Sequence, residues 1–182
     1  MRVFIGIELS EKMKNHLKTI QAEVKKGCES GKFTAEENFH LTLRFIGAVT
    51  GEQLDKIEDI LAASTAEQAP FMIKTSQLGA FPKKNKAVVW VGIEANEKLQ
   101  LLYKRVNAAL LSENIKMADE VAFIPHLSLG RGIVLSKEWG EPGAFAPADP
   151  VRMKVSQLTL FESKQVEGRL AYIPLKQFPF RG

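Results

Sequence analysis

The chain repeats part of its own sequence at a constant separation of 86 residues. Residues 3–8 read VFIGIE, and residues 89–94 read VWVGIE. The same separation joins HLTL at 40–43 to HLSL at 126–129, so one offset holds over about 40 residues. A match of this length indicates an internal duplication, which restricts the fold to two similar units built from one pattern.

A third pair of matching segments extends both copies. SQLGAF at 76–81 resembles SQLTLF at 156–161, at a separation of 80 residues. The second copy is therefore six residues shorter between its histidine motif and this segment. We place the copies at about 1–81 and 87–161, and we expect residues 1–182 to form one bilobal domain.

Each copy is predicted to open with a strand and then a helix. Residues 2–9 and 86–94 carry the β-branched and aromatic residues that are typical of strands. Ser10 and Asn96 follow them, and both are good N-cap residues for a helix. Apolar residues recur at helical spacing after each cap, namely Met13, Leu17, Ile20 and Val24, then Leu99, Leu102, Val106 and Leu110.

The remaining pattern completes an α+β chain. Residues 51–63 predict a second helix, whereas residues 134–148, at the corresponding place, contain two glycines and two prolines and predict mostly loop. Further strands are predicted at 39–46, 70–78, 123–130, 151–162 and 170–175. The fold class is therefore α+β, with a duplicated β-α-β-based unit forming two pseudo-symmetric lobes.

Two of the three histidines occupy matching positions in the two copies. Because side chains alternate faces along a strand, His40 and Thr42 share one face and the neighbouring leucines share the other. His126 and Ser128 repeat this arrangement. If the lobes associate about a pseudo-two-fold axis, two imidazoles and two hydroxyls meet in one cleft.

This set of side chains suits acid–base chemistry at phosphorus. An imidazole has an ordinary pKa near ~6.5, so one ring can accept a proton while the other donates one. The hydroxyls can hydrogen-bond the non-bridging oxygens of the reacting group, which favours in-line displacement. Such a site needs no metal, and we predict no cofactor.

Other readings of the same residues are less favourable. A single His-x-Thr is usually structural, but two copies with the hydroxyl retained favour function. A zinc site usually has three or four protein ligands, and the motifs supply two histidines. A nucleophilic Ser128 would need an orienting acid and an exposed turn, which the motifs lack. We interpret His16 as structural or surface and Cys28 as an incidental free thiol.

Composition narrows the class of protein. Apolar residues make up 45% of the chain and charged residues 25%, which excludes disordered, collagen-like and disulfide-scaffold proteins. The apolar runs are too short to cross a membrane, and the net charge of +4 predicts no specific partner. We expect no signal peptide, a cytoplasmic location and a monomer.

The motifs His40-Leu41-Thr42-Leu43 and His126-Leu127-Ser128-Leu129 resemble those of the two-histidine phosphoesterase superfamily. Residues 2–7, 38–47 and 125–131 are similar to its RNA 2′,3′-cyclic phosphodiesterase branch, also called 2′-5′ RNA ligases. The resemblance implies two lobes of mostly antiparallel sheet around a central active-site cleft. It also implies metal-independent hydrolysis of a 2′,3′-cyclic phosphate, on RNA or a nucleotide, to a 2′-phosphomonoester.

The same resemblance orders the residues. His40 would be the general acid and His126 the general base, with Thr42 and Ser128 holding the phosphate. Pseudo-symmetry leaves these two roles interchangeable on the sequence alone.

Further substrate contacts are expected around this centre. Arg131 fits a phosphate-binding cation, but alternation places it on the leucine face unless the strand ends or bulges at Gly130. Arg44 is expected either to touch an RNA backbone or to be a rim charge. Phe45, Phe81 and Phe161 are candidates for stacking on a base, although single phenylalanines are more often core residues. Gly6 and Gly92 would leave room either in the cleft or for helix packing.

Two other functions remain open at this point. A non-catalytic module that binds RNA ends could use the same cleft without titratable histidines. RNA ligation through a 2′-5′ bond is the reverse of the hydrolysis and would use the same histidine pair. Water near ~55 M favours hydrolysis unless a second RNA end is held in place.

Overall fold

The chain combines nine strands and three α-helices in the part that the computed structural model describes, which comprises residues 1–118, 122–136 and 149–182. Its elements are β1 (Arg2–Glu8), α1 (Glu11–Lys26), β2 (Cys28–Phe33), β3 (His40–Ala48), α2 (Gly51–Thr65), β4 (Phe71–Lys83), β5 (Lys86–Ile93), α3 (Glu97–Ser112), β6 (His126–Leu135), β7 (Arg152–Val155), β8 (Gln157–Val166) and β9 (Arg169–Pro179). A single 3₁₀ turn, Glu36–Asn38, precedes β3. The fold class predicted from the sequence, α+β, is confirmed.

The strands form two antiparallel sheets that each combine strands from both copies of the repeat. Sheet A has the order β3-β1-β8-β9, and sheet B has the order β2-β6-β5-β4-β7. In sheet A, β8 of the second copy pairs with β1 of the first. In sheet B, β4 of the first copy pairs with β5 of the second. The third repeated segment of each copy, which lies in β4 or in β8, therefore pairs in the sheet of the other copy. As a result, the two sheets do not coincide with the two copies.

The helices begin where the sequence predicts. The Ser10 side chain accepts a hydrogen bond from Met13 N, and the Asn96 side chain accepts one from Leu99 N. Thr50 and Gln53 form a capping box at the start of α2, which satisfies two backbone N–H groups that lack helical partners. The predicted apolar residues of α1 and α3 are all buried. In α2, Ile57 and Leu61 are buried and Leu54 is half-buried.

The predicted strand 151–162 is two strands in the structure, and this prediction was wrong. The chain leaves one sheet and enters the other at Ser156: β7 pairs with β4 in sheet B, and β8 pairs with β1 in sheet A. β2 was not predicted, because its sequence CESGKF has no apolar alternation. It is a mostly exposed edge strand whose order comes from backbone pairing with β6.

The bounds of other strands differ from the predicted bounds by a few residues. β6 begins at His126 rather than 123 and continues to Leu135, into the segment predicted as mostly loop. The rest of that prediction, from 137 to 148, lies outside the described residues. β9 is longer than predicted and contains Pro174 and Pro179, which an edge strand tolerates because one side of it needs no ladder bonds.

The buried faces of the sheets form the core. Leu41, Leu43, Leu127 and Leu129 are at most 2% exposed, as alternation predicts for the faces opposite the histidines. Helix α1 lies against sheet B: the Gln21 side chain donates to Leu129 O at 2.9 Å. Within the described ranges, no helix has both the length and the apolar character needed to cross a membrane.

Candidate active site

A β-bulge interrupts β3 just after its histidine motif. In the pairing of β1 with β3, Gly6 lies opposite Thr42 and Ile5 lies opposite Arg44. Leu43 is therefore an extra residue with no partner on β1, although it stays in the core at 2% exposure. A bulge of this kind reverses the facing of the residues that follow it.

The same bulge occurs at the equivalent place in β6. Trp90 lies opposite Ser128 and Val89 lies opposite Gly130, so Leu129 is the extra residue. Leu43 and Leu129 are 86 residues apart, which is the separation of the repeat. The duplication thus preserves the irregularity of the strand as well as its sequence.

The two bulges bring one further side chain from each strand into the cleft. Phe45, which follows the first bulge, is half-buried and lines the cleft. Arg131 occupies the equivalent position after the second bulge, is exposed and lines the same cleft. The sequence allowed Arg131 to reach this side only if the strand bulged near Gly130, and the pairing of β6 meets that condition.

Both predicted histidines line one cleft of about 800 Å³ between the sheets. Such a volume accommodates a nucleotide-sized or larger ligand. The residues around it are Arg2, Phe4, His40, Thr42, Leu43, Arg44, Phe45, Phe81, Tyr103, Ala118, Ala122, Phe123, Ile124, His126, Arg131, Ser163 and Tyr172.

The His40 ring is held by hydrogen bonds at both nitrogens. Its Nδ1 lies 2.7 Å from the backbone oxygen of Asn38, and its Nε2 lies 2.8 Å from Thr42 Oγ1. Since a carbonyl oxygen can only accept, Nδ1 must carry the proton. In the neutral ring, Nε2 is therefore the basic atom, and it accepts from the Thr42 hydroxyl.

The His126 ring is anchored in the same way. Its Nδ1 lies 2.6 Å from the backbone oxygen of Ile124, which is also two residues upstream. The proton again resides on Nδ1, so Nε2 is the nitrogen available for proton transfer. Two rings with matched tautomers thus line one cleft.

Aromatic rings surround His40 on several sides. Phe4 and Tyr172 have ring centroids 4.8 Å from that of His40, and Tyr172 meets it edge-on at 83°. Phe161 stacks on Phe4 at 4.8 Å and 9°. This enclosure removes water from the imidazole, which disfavours its charged form.

His126 has an equivalent aromatic pair. Phe81 meets its ring edge-on at 5.0 Å, and the centroid of Trp90 lies 5.9 Å away. A Cβ atom at Gly79 would collide with the Trp90 indole, so only glycine leaves room for this indole across β4. Trp90 and Phe81 are the repeat equivalents of Phe4 and Phe161.

Burial controls the charge of both histidines. The pKa of His40 is lowered to about 4, chiefly by desolvation; the Asn38 hydrogen bond opposes this shift, whereas the positive charge of Arg131 and that of protonated His126 add to it. Desolvation also lowers the pKa of His126, with Arg131 contributing and the Ile124 hydrogen bond opposing. Both rings are therefore neutral at pH 7 in the unliganded protein, and a bound anion would favour protonation.

Of the other residues predicted to contact phosphate or RNA, only some line the cleft. Thr42 lines the cleft, whereas Ser128 shares the strand face of His126, is half-buried and is not among the lining residues described. Arg44 lines the cleft but is only 8% exposed, so the expectation of a rim charge was wrong. Arg44 follows the bulged residue Leu43 and lies opposite Ile5, and its side chain is buried in the cleft wall.

Two further expectations are corrected. Phe161 is 4% exposed and covered by Phe4, so it is not free to stack on a base, while Phe81 does line the cleft. The space at Gly6 is taken by Leu41 O and the Phe161 ring, and that at Gly92 by the Ser76 hydroxyl. These glycines accommodate neighbouring strands and leave room neither for substrate nor for a helix.

Sequence reasoning missed several contributors to the site. The Phe4–Trp90 equivalence is visible in the repeat and would have indicated a paired aromatic wall. Tyr172 gave no such signal, because it follows the second copy. Tyr103 and Phe123 stack on each other at 4.2 Å and 12° and form an apolar part of the cleft. Over residues 1–118, 122–136 and 149–182, no group of three or more His, Cys, Asp or Glu side chains is placed to hold a metal ion.

The sequence matches a known family model, LigT-like phosphoesterase, over residues 7–90. A relative from Methanothermobacter thermautotrophicus, named RNA 2′,3′-cyclic phosphodiesterase, is 30% identical over 132 residues, covering 72% of this chain and 71% of the relative. A protein of the same name from Thermotoga maritima is 25% identical over 183 residues, covering 100% and 97%.

The fold also matches a solved structure. A crystal structure of a Thermus thermophilus protein superimposes with a TM-score of 0.81 at 25% identity, covering 100% of this chain and 99% of that one. This similarity extends over both sheets and the cleft between them. The family model, the relatives and the fold agree, and the chain belongs to the LigT-like phosphoesterase family.

Proposed function

We propose that this protein hydrolyses the 2′,3′-cyclic phosphate at an RNA end, or on a nucleotide, to a 2′-phosphomonoester. The observation that carries this proposal is the pair of imidazoles on one cleft, each with Nδ1 bonded to a backbone carbonyl and Nε2 available. The named activity of the Methanothermobacter and Thermotoga relatives supports the same substrate class.

In the proposed reaction, His126 Nε2 takes a proton from water as the water oxygen bonds to phosphorus. The bond from phosphorus to O3′ breaks, and His40 Nε2 donates a proton to the departing oxygen. The phosphate then remains on O2′. The family resemblance assigns these two roles, since the bonding of the two rings is the same.

Substrate binding would prepare His40 for this role. Its pKa of about 4 in the unliganded protein leaves the ring neutral at pH 7. A cyclic phosphate carries one negative charge, and an anion beside an imidazole raises its pKa. We therefore propose that the substrate itself draws the proton onto His40.

Three side chains are proposed to hold the phosphate. The Thr42 hydroxyl lies 2.8 Å from His40 Nε2 and can exchange this bond for one to a phosphate oxygen. Arg131 supplies the positive charge, since it lines the cleft and acts on the pKa of both histidines. Ser128 would complete the set after a small movement of its half-buried side chain.

The aromatic part of the cleft is proposed to receive the nucleoside. The guanidinium of Arg2 lies 5.5 Å from the centroid of Phe45, and Tyr103 stacks on Phe123 elsewhere along the same cleft. Bases exposed at an RNA end stack on such rings. Arg44, which is buried in the cleft wall, would contact the RNA backbone from there.

A short RNA ending in a 2′,3′-cyclic phosphate tests the proposal, with EDTA present and the product phosphate located by ³¹P NMR. We expect a 2′-phosphate, formed at equal rates with and without EDTA, and loss of turnover in His40→Gln and His126→Gln. His16→Gln is the matched control, because His16 lies on α1 and contacts Thr75, outside the cleft. Inhibition by EDTA would contradict the metal-independent mechanism.

The same experiment distinguishes the alternative functions. If the folded wild-type protein binds this RNA tightly but does not turn it over, the protein is an RNA-end-binding module and not an enzyme. Adding an RNA with a 5′-hydroxyl tests ligation, because microscopic reversibility allows the same two imidazoles to form a 2′-5′ bond. We propose a cytoplasmic monomer, in line with the free thiol of Cys28 and a cleft whose two histidines come from one chain.

A further inference from the structure

We propose that Asn38 is a positioning residue that fixes the tautomer and direction of the His40 ring by fastening the chain before β3 to strand β9. Its catalytic consequence rests on the proposed function, whereas its effect on the imidazole does not. Asn38 lies outside the lining of the main cleft and does not act on substrate directly.

The Asn38 side chain bonds to β9 as a neighbouring strand would. Its Nδ2 donates to Leu170 O at 2.8 Å, and its Oδ1 accepts from Tyr172 N at 3.0 Å. β9 is the edge strand of sheet A, so the amide satisfies a donor and an acceptor on its free side. Asn38 is only 8% exposed, and both polar atoms of its side chain have hydrogen-bond partners.

The backbone of Asn38 transmits this restraint to the catalytic centre. Its oxygen accepts the proton of His40 Nδ1 at 2.7 Å, and its nitrogen donates to Ala35 O at 2.9 Å. The side chain and the backbone nitrogen therefore hold the carbonyl in place from two directions. A fixed carbonyl keeps the proton on Nδ1 and directs Nε2 toward Thr42.

The equivalent position before His126 has no such side chain. Ile124 offers its backbone oxygen to His126 Nδ1, but its side chain is aliphatic and 51% exposed. An isoleucine cannot hydrogen-bond to a strand edge. The clamp therefore belongs to the His40 half of the site and cannot be ascribed to the repeated motif.

Release of the clamp would act on two properties of His40. The neutral ring could adopt the other tautomer, with its proton on Nε2, and could turn away from the Thr42 hydroxyl. The bond to the Asn38 carbonyl also raises the pKa of His40 against the effect of burial, so weakening it makes protonation harder. Both changes impair a proton donor without altering the groups that bind substrate.

Asn38→Ala tests this inference by kinetics and by ¹⁵N NMR of the imidazole. We expect kcat for the cyclic-phosphate RNA to fall about ten- to a hundredfold while KM changes less than about threefold, because misplacement of a reacting group costs this much. The high-pH limb of the kcat profile, which follows deprotonation of the general acid His40, should move to lower pH. The ¹⁵N spectrum of His40 should change from the pure Nδ1–H form to a mixture of tautomers, and that of His126 should not.

Asn38→Asp separates positioning from folding. Its carboxylate keeps an acceptor for Tyr172 N but loses the donor to Leu170 O, so we expect a smaller loss of kcat and retention of the Nδ1–H tautomer. Gln68→Ala is the matched control: Gln68 is also 8% exposed, and its amide donates to Ala69 O outside the cleft. This control should lose stability and keep kcat.

Three results would overturn the inference. They are an unchanged His40 tautomer in Asn38→Ala, a kcat within twofold of wild type, and an equal loss of kcat in Gln68→Ala. If wild-type protein does not turn over the RNA, the proposed function fails. The tautomer measurement still tests Asn38 in that case, because it needs no substrate.

Discussion

The surroundings of His40 in sheet A and of His126 in sheet B come from the same repeated sequence but are not the same. Glu8 lies opposite His40, whereas Gly92, the equivalent of Gly6, lies opposite His126. On the other edge of these strands, Phe4 lies opposite Phe161, whereas Trp90, the equivalent of Phe4, lies opposite Gly79. Strand β5 is thus shifted by two residues relative to β1 against both of its neighbours.

A shift of two residues preserves which face each side chain occupies, because the side-chain period of a strand is two. Both aromatic pairs therefore still meet their histidines. The two imidazoles differ in how deeply they are buried. Tyr172 adds a third aromatic contact to His40, and burial lowers the pKa of His40 to about 4. Duplication thus supplies two similar groups, and their context makes them unequal.

The largest expected effect tests whether the two histidines have different roles. His40→Gln and His126→Gln should each lower kcat about 10²- to 10⁴-fold, the usual contribution of a general acid or base. Wild type should give a bell-shaped profile of rate against pH. Each variant should lose one limb of that bell, and loss of the same limb in both would contradict separate acid and base roles.

The next effect is on stability at low pH. In the unfolded chain a histidine titrates near ~6.5, so between that pH and about 4 the unfolded state binds a proton that folded His40 does not. The free energy of unfolding should therefore fall as the pH falls through this window, by up to about 3 kcal/mol. His40→Gln should flatten the decline more than His126→Gln does, as measured by urea unfolding at several pH values.

Gly79→Ala tests the shifted register of sheet B. The added methyl group collides with the Trp90 indole, and overpacking of this kind costs about 1–3 kcal/mol. Gly51→Ala is the control, because a Cβ atom there meets nothing within 4 Å. Thermal unfolding of both variants measures the difference, and equal stability would mean that the indole does not need this glycine.

Arg131→Gln tests the charge that the two halves share. Its positive charge lowers the pKa of both histidines, so its removal should raise both. KM should rise about tenfold through loss of a charge-assisted phosphate contact. NMR titration of the two imidazoles measures the pKa shifts, and Arg131→Lys should largely restore them. A shift at one histidine alone would show that Arg131 does not act on both.

The smallest effect separates the two halves again. Tyr172→Ala removes the edge-on ring from His40 but leaves the backbone bond from residue 172 to Asn38. Water then reaches the imidazole, and the pKa of His40 should rise by about one unit while that of His126 stays constant. An NMR titration resolves both residues, and equal movement would argue against this source of the asymmetry.

Several features of the site were within reach of the sequence. The repeat identified His40, His126 and their hydroxyl partners, and alternation placed the leucines of both motifs in the core. The caps at Ser10 and Asn96 were also predicted, because capping depends on a few adjacent residues. The alternation and the caps depend on residues that are close in the chain, and the histidine pair was found because both copies carry the same motif.

The tertiary structure decided the features that depend on distant segments. The repeated segments follow one another in the same order in both copies, yet the third strands are exchanged between sheets, and β7 and β8 separate at Ser156. The two-residue shift of β5 and the enclosure of His40 by Tyr172 likewise follow from strand pairing and packing across the molecule. The sequence by itself determined which groups are candidates for the chemistry, because residue type and alternation are local properties. Only the fold decided how each group is buried and charged, because neighbours from elsewhere in the chain set the local dielectric environment.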